Sequence, residues 1–372
     1  MNHRNQSNPI NLWSKSAVMN HSNHNNQTNQ RSRSGSVVLE KFDSKILRNN
    51  PLGDPSERDF PVYLPPSYFK SEKKFAVVYL LSGFTGTGIM NLNVSFLSEN
   101  IHQRLDRLIL EKKMKEMIVV MPDCITKFGG SQFINSTATG RYEDYLISEI
   151  VTYIDQKYRT IADRSSRAVC GKSSGGYGAI ILAMKNPEVF GLMCSTAGDM
   201  CFEYCYQPDF PRFITNIEHY GKGHKAISDF IKKEINLNQP KPKYFFDIMN
   251  DIGMASCYSP NSAGLKTKGY NFDMPFDIHT GELDKNVFNK WLKHDPVRLV
   301  DKYFKNLKKL NLIFLDAGIY DEFNLHIGAR IFCNNLKKKN IKYIHEEFKD
   351  GHRNIQYRYD RTFGVISENI IC

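Results

Sequence analysis

A serine between two glycines is the residue of this sequence best suited to chemistry. Residues 171–175 read Gly-Lys-Ser-Ser-Gly, the pattern Gly-x-Ser-x-Gly centred on Ser173. A strand-like run precedes it over residues 166–170, and a helix-like run follows over residues 179–185. A sharp strand-to-helix turn strains the serine backbone, needs glycine beside it, and lifts the hydroxyl to the positive end of a helix. The pattern predicts a nucleophile, with a plain glycine-rich turn as the alternative.

A serine hydroxyl is a weak nucleophile until an oriented base removes its proton. On a strand-to-helix turn the partners follow in the chain order serine, acid, histidine, each after a strand. Asp321 follows the strand-like run 310–315, and His352 follows the run 343–348. We therefore predict His352 as the general base and Asp321 as the acid that orients it.

The assignment of the acid leaves two neighbours as alternatives. Asp316 ends the run 310–315, where aspartate commonly hydrogen-bonds a turn, and Glu322 follows Asp321 directly. The histidine has weaker rivals, because His326 and His345 lie inside periodic segments.

An oxyanion needs two backbone donors aimed at it. The N–H of Ser174, the residue after the serine, is one candidate, and the N–H of Phe84 is the other. Phe84 lies in the glycine-rich turn 82–88, where Gly83 lets the backbone approach closely. No Gly-Lys-Ser or Gly-Lys-Thr ends this turn, so the sequence does not favour a phosphate-binding loop.

The surrounding elements alternate between strand and helix, which predicts a mostly parallel sheet with helices on both faces. The alternation breaks at about residue 199 and resumes near residue 305, so residues 199–305 are expected to be an insertion over one edge of the sheet, partly a lid. The periodicity also predicts a helix over residues 94–113. The strand-like runs upstream of the serine cover residues 36–40, 59–64, 75–81 and 116–121.

The composition of the 372 residues is that of a globular protein, with 41% hydrophobic residues and a formal charge of +11. Residues 1–35 are rich in Asn and Ser and are expected to be a disordered extension, with a single domain over 36–372. No apolar run reaches the roughly 18 residues of a membrane span, and no secretory signal is visible, so we expect a cytoplasmic protein. The lysines are scattered over separate segments without a nucleic-acid-binding module, so no nucleic acid partner is expected.

Eight cysteines are present, but they form no metal-binding pattern. Cys201 and Cys205 are four apart, and no second pair completes a zinc site. We expect neither a metal nor another cofactor.

The sequence from Leu80 to the C-terminus resembles the esterase D-like family of the α/β-hydrolases, which includes S-formylglutathione hydrolases, siderophore esterases, feruloyl esterases and mycolyltransferases. The resemblance implies the α/β-hydrolase fold, with residues 129–136 flanking the pocket and Asn135 among the substrate-binding residues. Many relatives have histidine where this chain has Ser82. The resemblance is carried by Ser82-Gly83-Phe84, residues 129–136, residues 141–144, the segment 171–178, Gly198-Asp199, residues 318–321 and Asp350-Gly351-His352.

These features predict a serine hydrolase that cleaves a small-molecule carboxylic ester or thioester through an acyl-enzyme intermediate. An acyltransferase with the same three residues and an inactive binding protein are the alternatives, and a homo-oligomer remains open. Gly83 and Lys172 are expected beside the substrate. Lys172 would favour anionic acyl groups, unless its side chain simply faces solvent.

Overall fold

The computed structural model describes residues 34–235 and 238–372. The prediction of a disordered extension over residues 1–35 therefore lies almost entirely outside the described residues. Within them, eight strands form one sheet and two short strands form a second. The strands are β1 Ser36–Asp43, β2 Glu57–Leu64, β3 Val77–Leu81, β4 Ile118–Val120, β5 Asn135–Ser136, β6 Gly140–Arg141, β7 Arg167–Lys172, β8 Leu192–Thr196, β9 Leu312–Gly318 and β10 Ile344–Phe348.

The large sheet has the strand order β1-β2-β4-β3-β7-β8-β9-β10. From β4 to β10 every neighbouring pair is parallel, whereas β2 pairs antiparallel with both β1 and β4. All residues of β3, β8 and β9 are buried, as continuous apolar strands must be when both faces of a parallel sheet are covered. The predicted mostly parallel sheet is confirmed.

Helices cover both faces of this sheet, and each face has its own apolar core. Helix α2 runs through residues 142–157 as Tyr142–Asp144, a π-helical centre Tyr145–Ile150, and Val151–Lys157. The other helices outside the insertion are α1 Ile101–Leu110, α3 Ser174–Lys185, α11 Leu325–Lys338 and α12 Tyr359–Asn369.

Helix α1 is shorter than the helix predicted over residues 94–113. Asn100 accepts a hydrogen bond from the N–H of Gln103, and the Gln103 side chain accepts one from the N–H of Asn100. This reciprocal cap fixes the first turn at Ile101. The residues before it are extended or in turns, and Phe96 is 96% exposed.

Between β8 and β9 the described residues form helices and no strand of the large sheet. This insertion packs on helix α3, since the Tyr177 ring of α3 contacts Phe202 and Tyr258 of the insertion. Trp291 is fully buried there, and its indole N–H donates to the Ser259 hydroxyl at 2.8 Å. Its helices are α4 Phe202–Cys205, α5 Phe210–Ile217, α6 Gly223–Glu234, α7 Phe245–Tyr258, α8 Gly264–Thr267, α9 Lys285–Leu292 and α10 Pro296–Leu307.

None of the helices over residues 34–235 and 238–372 is both long enough and apolar enough to pass through a lipid bilayer.

Candidate active site

Ser173 sits on a strained turn between β7 and α3. Its φ and ψ are 59° and −129°, a conformation that costs a non-glycine residue free energy and marks functional sites. The turn folds tightly against β3, because a Cβ atom added to Gly175 would lie 2.2 Å from the carbonyl oxygen of Leu81. A Cβ atom on Gly171 would lie 2.5 Å from the carbonyl carbon of Gly175. Both glycines of the sequence pattern are therefore required by close backbone contacts.

The three side chains that the sequence singled out form one hydrogen-bonded chain. The Nε2 atom of His352 lies 3.0 Å from the Oγ atom of Ser173, and its Nδ1 atom lies 2.8 Å from Oδ2 of Asp321. The carboxyl ends of parallel strands meet at one edge of the sheet, and β7, β9 and β10 bring the three residues there. The imidazole also packs edge-on against the Phe323 ring, with a centroid distance of 4.9 Å.

The carboxylate of Asp321 is fully buried and held from two sides. Its Oδ1 atom accepts hydrogen bonds from the N–H groups of Phe323 at 2.9 Å and Leu325 at 3.4 Å. Oδ2 is thereby aimed at Nδ1 of His352, an arrangement that favours the tautomer with its proton on Nδ1.

The two alternative acids have other partners. Asp316 belongs to β9 itself, and its Oδ2 atom forms a buried ion pair at 2.7 Å with Arg358. Glu322 accepts a hydrogen bond from the backbone N–H of His352 at 2.5 Å, so it contacts the loop rather than the ring. The structure therefore brings Asp321 to the imidazole.

The two candidate oxyanion donors flank the serine. Ser174 is the first residue of α3, and the first N–H groups of a helix have no partner inside that helix. Gly83 lies beside the nucleophile, since a Cβ atom added to it would be 3.6 Å from the Cβ atom of Ser173. The ring of Phe84, the next residue, packs against Gly129 and Gly253. A Cβ atom added to Gly129 would lie 2.5 Å from this ring, and one added to Gly253 would lie 2.7 Å from it. Glycine at these two positions creates the slot for the ring.

Ser173 and His352 open onto a groove of about 1430 Å³. Gly83, Phe84, Lys172 and Ser174 also line it. Burial lowers the pKa of the Lys172 ammonium below its ordinary value, so this side chain does not simply face solvent.

Asn135 does not line this groove. It lies on the exposed edge of β5, and its side-chain oxygen accepts a hydrogen bond at 3.2 Å from the N–H of Asp144, near the beginning of helix α2. The substrate contact that the resemblance implies for Asn135 therefore stays a prediction.

A second buried carboxylate, next to Ser174, was not assigned a role from the sequence. Asp199 is 6% exposed and lines the groove. Its Oδ2 atom accepts hydrogen bonds from Ser174 Oγ at 3.0 Å, the Tyr206 hydroxyl at 2.8 Å and Gln132 Nε2 at 3.3 Å. A polar residue directly after a buried parallel strand is the sequence signal that points to this edge of the sheet.

No group of three or more His, Cys, Asp or Glu side chains within the described ranges is arranged to hold a metal ion. The groove contains a serine hydroxyl bonded to an imidazole, an acid behind that imidazole, and two N–H groups beside the hydroxyl. Groups of these types can carry out nucleophilic attack on a carbonyl carbon.

The sheet order, the strained serine turn and the position of the insertion define an α/β-hydrolase fold. Solved structures with this fold include a ferulic acid esterase, with a TM-score of 0.57 and 18% identity over 91% of this chain and 99% of that one. An S-formylglutathione hydrolase from Agrobacterium tumefaciens has a TM-score of 0.54 and 18% identity over 91% and 96% of the two chains.

Residues 55–361 match the model of the esterase family described as "Putative esterase". The chain belongs to this family. A curated relative, the endo-1,4-beta-xylanase/feruloyl esterase of Xylanibacter ruminicola, is 34% identical over 137 residues, which are 35% of this chain. The match spans only 18% of that relative's length.

Proposed function

We propose that this protein is a serine esterase that hydrolyses a carboxylic ester or thioester through an acyl-enzyme intermediate. The observation that carries the proposal is the hydrogen-bonded chain from Asp321 through His352 to Ser173 at the floor of an open groove. Membership of the esterase family supports ester hydrolysis as the reaction class.

The first half-reaction forms the acyl-enzyme. His352 takes the proton of the Ser173 hydroxyl on Nε2 while Oγ attacks the carbonyl carbon, which gives a tetrahedral intermediate. The intermediate collapses with cleavage of the bond to the leaving oxygen or sulfur, and His352 returns the proton to that atom. Asp321 stabilises the imidazolium.

The second half-reaction repeats these steps with water. His352 removes a proton from water, the resulting oxygen attacks the acyl carbon, and Ser173 leaves as the protonated hydroxyl. In both tetrahedral intermediates the negative oxygen is stabilised by the N–H groups of Phe84 and Ser174, each donor being worth roughly 100-fold to 1000-fold in rate.

The groove sets limits on the substrate. At about 1430 Å³ it exceeds the roughly 300–1000 Å³ of an ordinary small-molecule pocket, so it accommodates an extended ester. Lys172 lines it next to the nucleophile, which favours a substrate with a negative charge near the scissile bond.

A fluorophosphonate probe tests the proposal directly. The native protein should be labelled covalently, and Ser173→Ala should not be labelled and should lose on the order of a millionfold in turnover of a nitrophenyl ester. Ser262→Ala removes an exposed serine of the insertion and serves as the matched control that keeps labelling. A native protein that resists the probe, or a Ser173→Ala variant that still turns over ester, would overturn the proposal.

A further inference from the structure

Asp199 places a buried acceptor beside the reacting carbonyl that the proposed mechanism does not use. The three hydrogen bonds that it accepts all go to Oδ2. The other oxygen, Oδ1, receives no hydrogen bond from the described residues, although the residue is only 6% exposed and lines the groove. An oxygen without a protein donor at the wall of the groove can accept a hydrogen bond from a ligand.

The position of Asp199 is rigid. Gly198, the residue before it, packs directly on the first turn of α3, because a Cβ atom added there would be 2.9 Å from the carbonyl carbon of Gly176. The donors from Ser174, Tyr206 and Gln132 come from three different segments and hold Oδ2 in place. The direction of Oδ1 is therefore preorganised before any substrate binds.

Asp199 contacts Ser174, the residue after Ser173, through its Oδ2 atom. Its hydrogen-bond partner Ser174 provides the backbone N–H that we assign to the oxyanion, whereas the leaving group must lie against His352 to receive its proton. A donor that reaches Oδ1 is thus carried by the acyl chain, close to the carbonyl carbon.

The charges of the groove indicate which donor this is. The groove is lined by the cations of Lys172 and Arg353 and also by the carboxylates of Asp209 and Asp247. A hydroxyl donates a hydrogen bond without adding charge, so it fits this mixed environment.

From this geometry we infer that Asp199 determines acyl specificity: it selects esters whose acyl chain carries a hydroxyl on the first or second carbon from the scissile carbonyl, by accepting a hydrogen bond from that hydroxyl on Oδ1. The inference rests on the proposed esterase function and adds the substrate class. Tyr206 and Gln132 are positioning residues in this arrangement, since they act on the substrate only through Asp199.

The test compares kcat/KM for the 4-nitrophenyl esters of butyric, 2-hydroxybutyric and 3-hydroxybutyric acid, with Ser173→Ala as the background. The wild-type protein should prefer one hydroxy ester over butyrate by about tenfold or more, as a hydrogen bond to a charged acceptor allows. Asp199→Asn should bring this ratio close to one. Asp209→Asn removes another carboxylate that lines the groove and should leave the ratio unchanged.

Three outcomes would overturn the inference: equal rates for all three esters in the wild-type protein, an unchanged ratio in Asp199→Asn, or an equal loss on all three esters in that variant. The last result would assign Asp199 to the placement of Ser174 alone. Tyr206→Phe removes one of the donors that hold Oδ2 and should weaken the preference without abolishing it, so the test does not depend on one variant folding. A protein that is labelled at Ser173 yet shows no preference refutes the inference and leaves the esterase proposal intact, whereas absence of labelling refutes both.

Discussion

The Nδ1 atom of His352 lies 2.8 Å from Oδ2 of Asp321, and the partner oxygen of that carboxylate is held by the N–H groups of Phe323 and Leu325. The acid is therefore oriented by the loop after β9 before the histidine contacts it. This relationship distinguishes Asp321 from Asp316, which is only five residues earlier but faces Arg358.

The first prediction separates these two acids. Asp321→Asn should lower kcat by roughly 10⁴-fold, because the amide no longer imposes the required tautomer on His352. Asp316→Asn should retain kcat but lower the free energy of unfolding, since it leaves the Arg358 guanidinium without its buried partner. Steady-state kinetics and urea unfolding of both variants provide the measurement. A larger loss of kcat in Asp316→Asn than in Asp321→Asn would reverse the assignment.

The second prediction concerns the backbone of the serine turn. Gly175→Ala places a Cβ atom 2.2 Å from the Leu81 carbonyl oxygen and should cost about 3 kcal/mol or more in the free energy of unfolding. Gly364→Ala in α12 meets nothing closer than 3.8 Å and should stabilise the protein by up to about 1 kcal/mol through helix propensity. The midpoint of urea unfolding should therefore fall for Gly175→Ala and rise for Gly364→Ala. Midpoints that move in the same direction for both variants would contradict the strain assigned to the turn.

The third prediction concerns the pH dependence of stability at Asp251 of helix α7. This carboxyl group is fully buried, neither oxygen has a hydrogen-bond partner among the described residues, and burial raises its pKa well above the ordinary value, with Asp209 and Asp247 adding to the shift. Above the unfolded pKa of about 3.9 the folded state binds more protons than the unfolded state, so the contribution of Asp251 to stability falls as the pH rises.

Asp251→Asn removes this titration. The free energy of unfolding of the variant, relative to that of the wild type, should therefore be higher at pH 8 than at pH 5. Urea unfolding of both proteins at the two pH values measures this difference. A difference that stays constant, or that moves toward the wild type, would show that the folded protein holds Asp251 ionised.

The fourth prediction concerns Lys172. Lys172→Ala should lower the ratio of kcat/KM for a carboxylated ester over a matched neutral ester severalfold, because the cation lies in the groove next to the nucleophile. Lys293→Ala removes an equal charge from an exposed position and is the control. If both variants change the ratio equally, the effect belongs to the net charge of the protein rather than to Lys172.

Much of the site could be predicted because each of its parts leaves a local signal. Ser173 is marked by glycines that a strained turn requires, and Asp321 and His352 each follow a strand whose apolar pattern is visible. Parallel strands then bring their ends together, so chain order alone indicates that the three residues meet.

Other features depend on contacts between distant segments. Asp199 receives donors from residues 132, 174 and 206, and the sequence does not reveal which polar side chains of an irregular insertion will face it. Asp316 and Asp321 look alike in sequence because the partner that separates them, Arg358, comes from beyond the last strand. The Asn135 prediction followed the resemblance to relatives, and its side-chain oxygen accepts a hydrogen bond from the N–H of Asp144.

The base of the proposed triad follows β10, which is the last strand of the sheet and is only partly buried. Serine and acid follow fully or mostly buried strands nearer the centre. Local unfolding begins at an edge strand, because such a strand pairs with a neighbour on one side only. On heating, the imidazole of His352 should therefore separate from Ser173 and Asp321 while the buried core is still folded. Catalytic turnover should be lost at a lower temperature than the circular-dichroism signal of the fold.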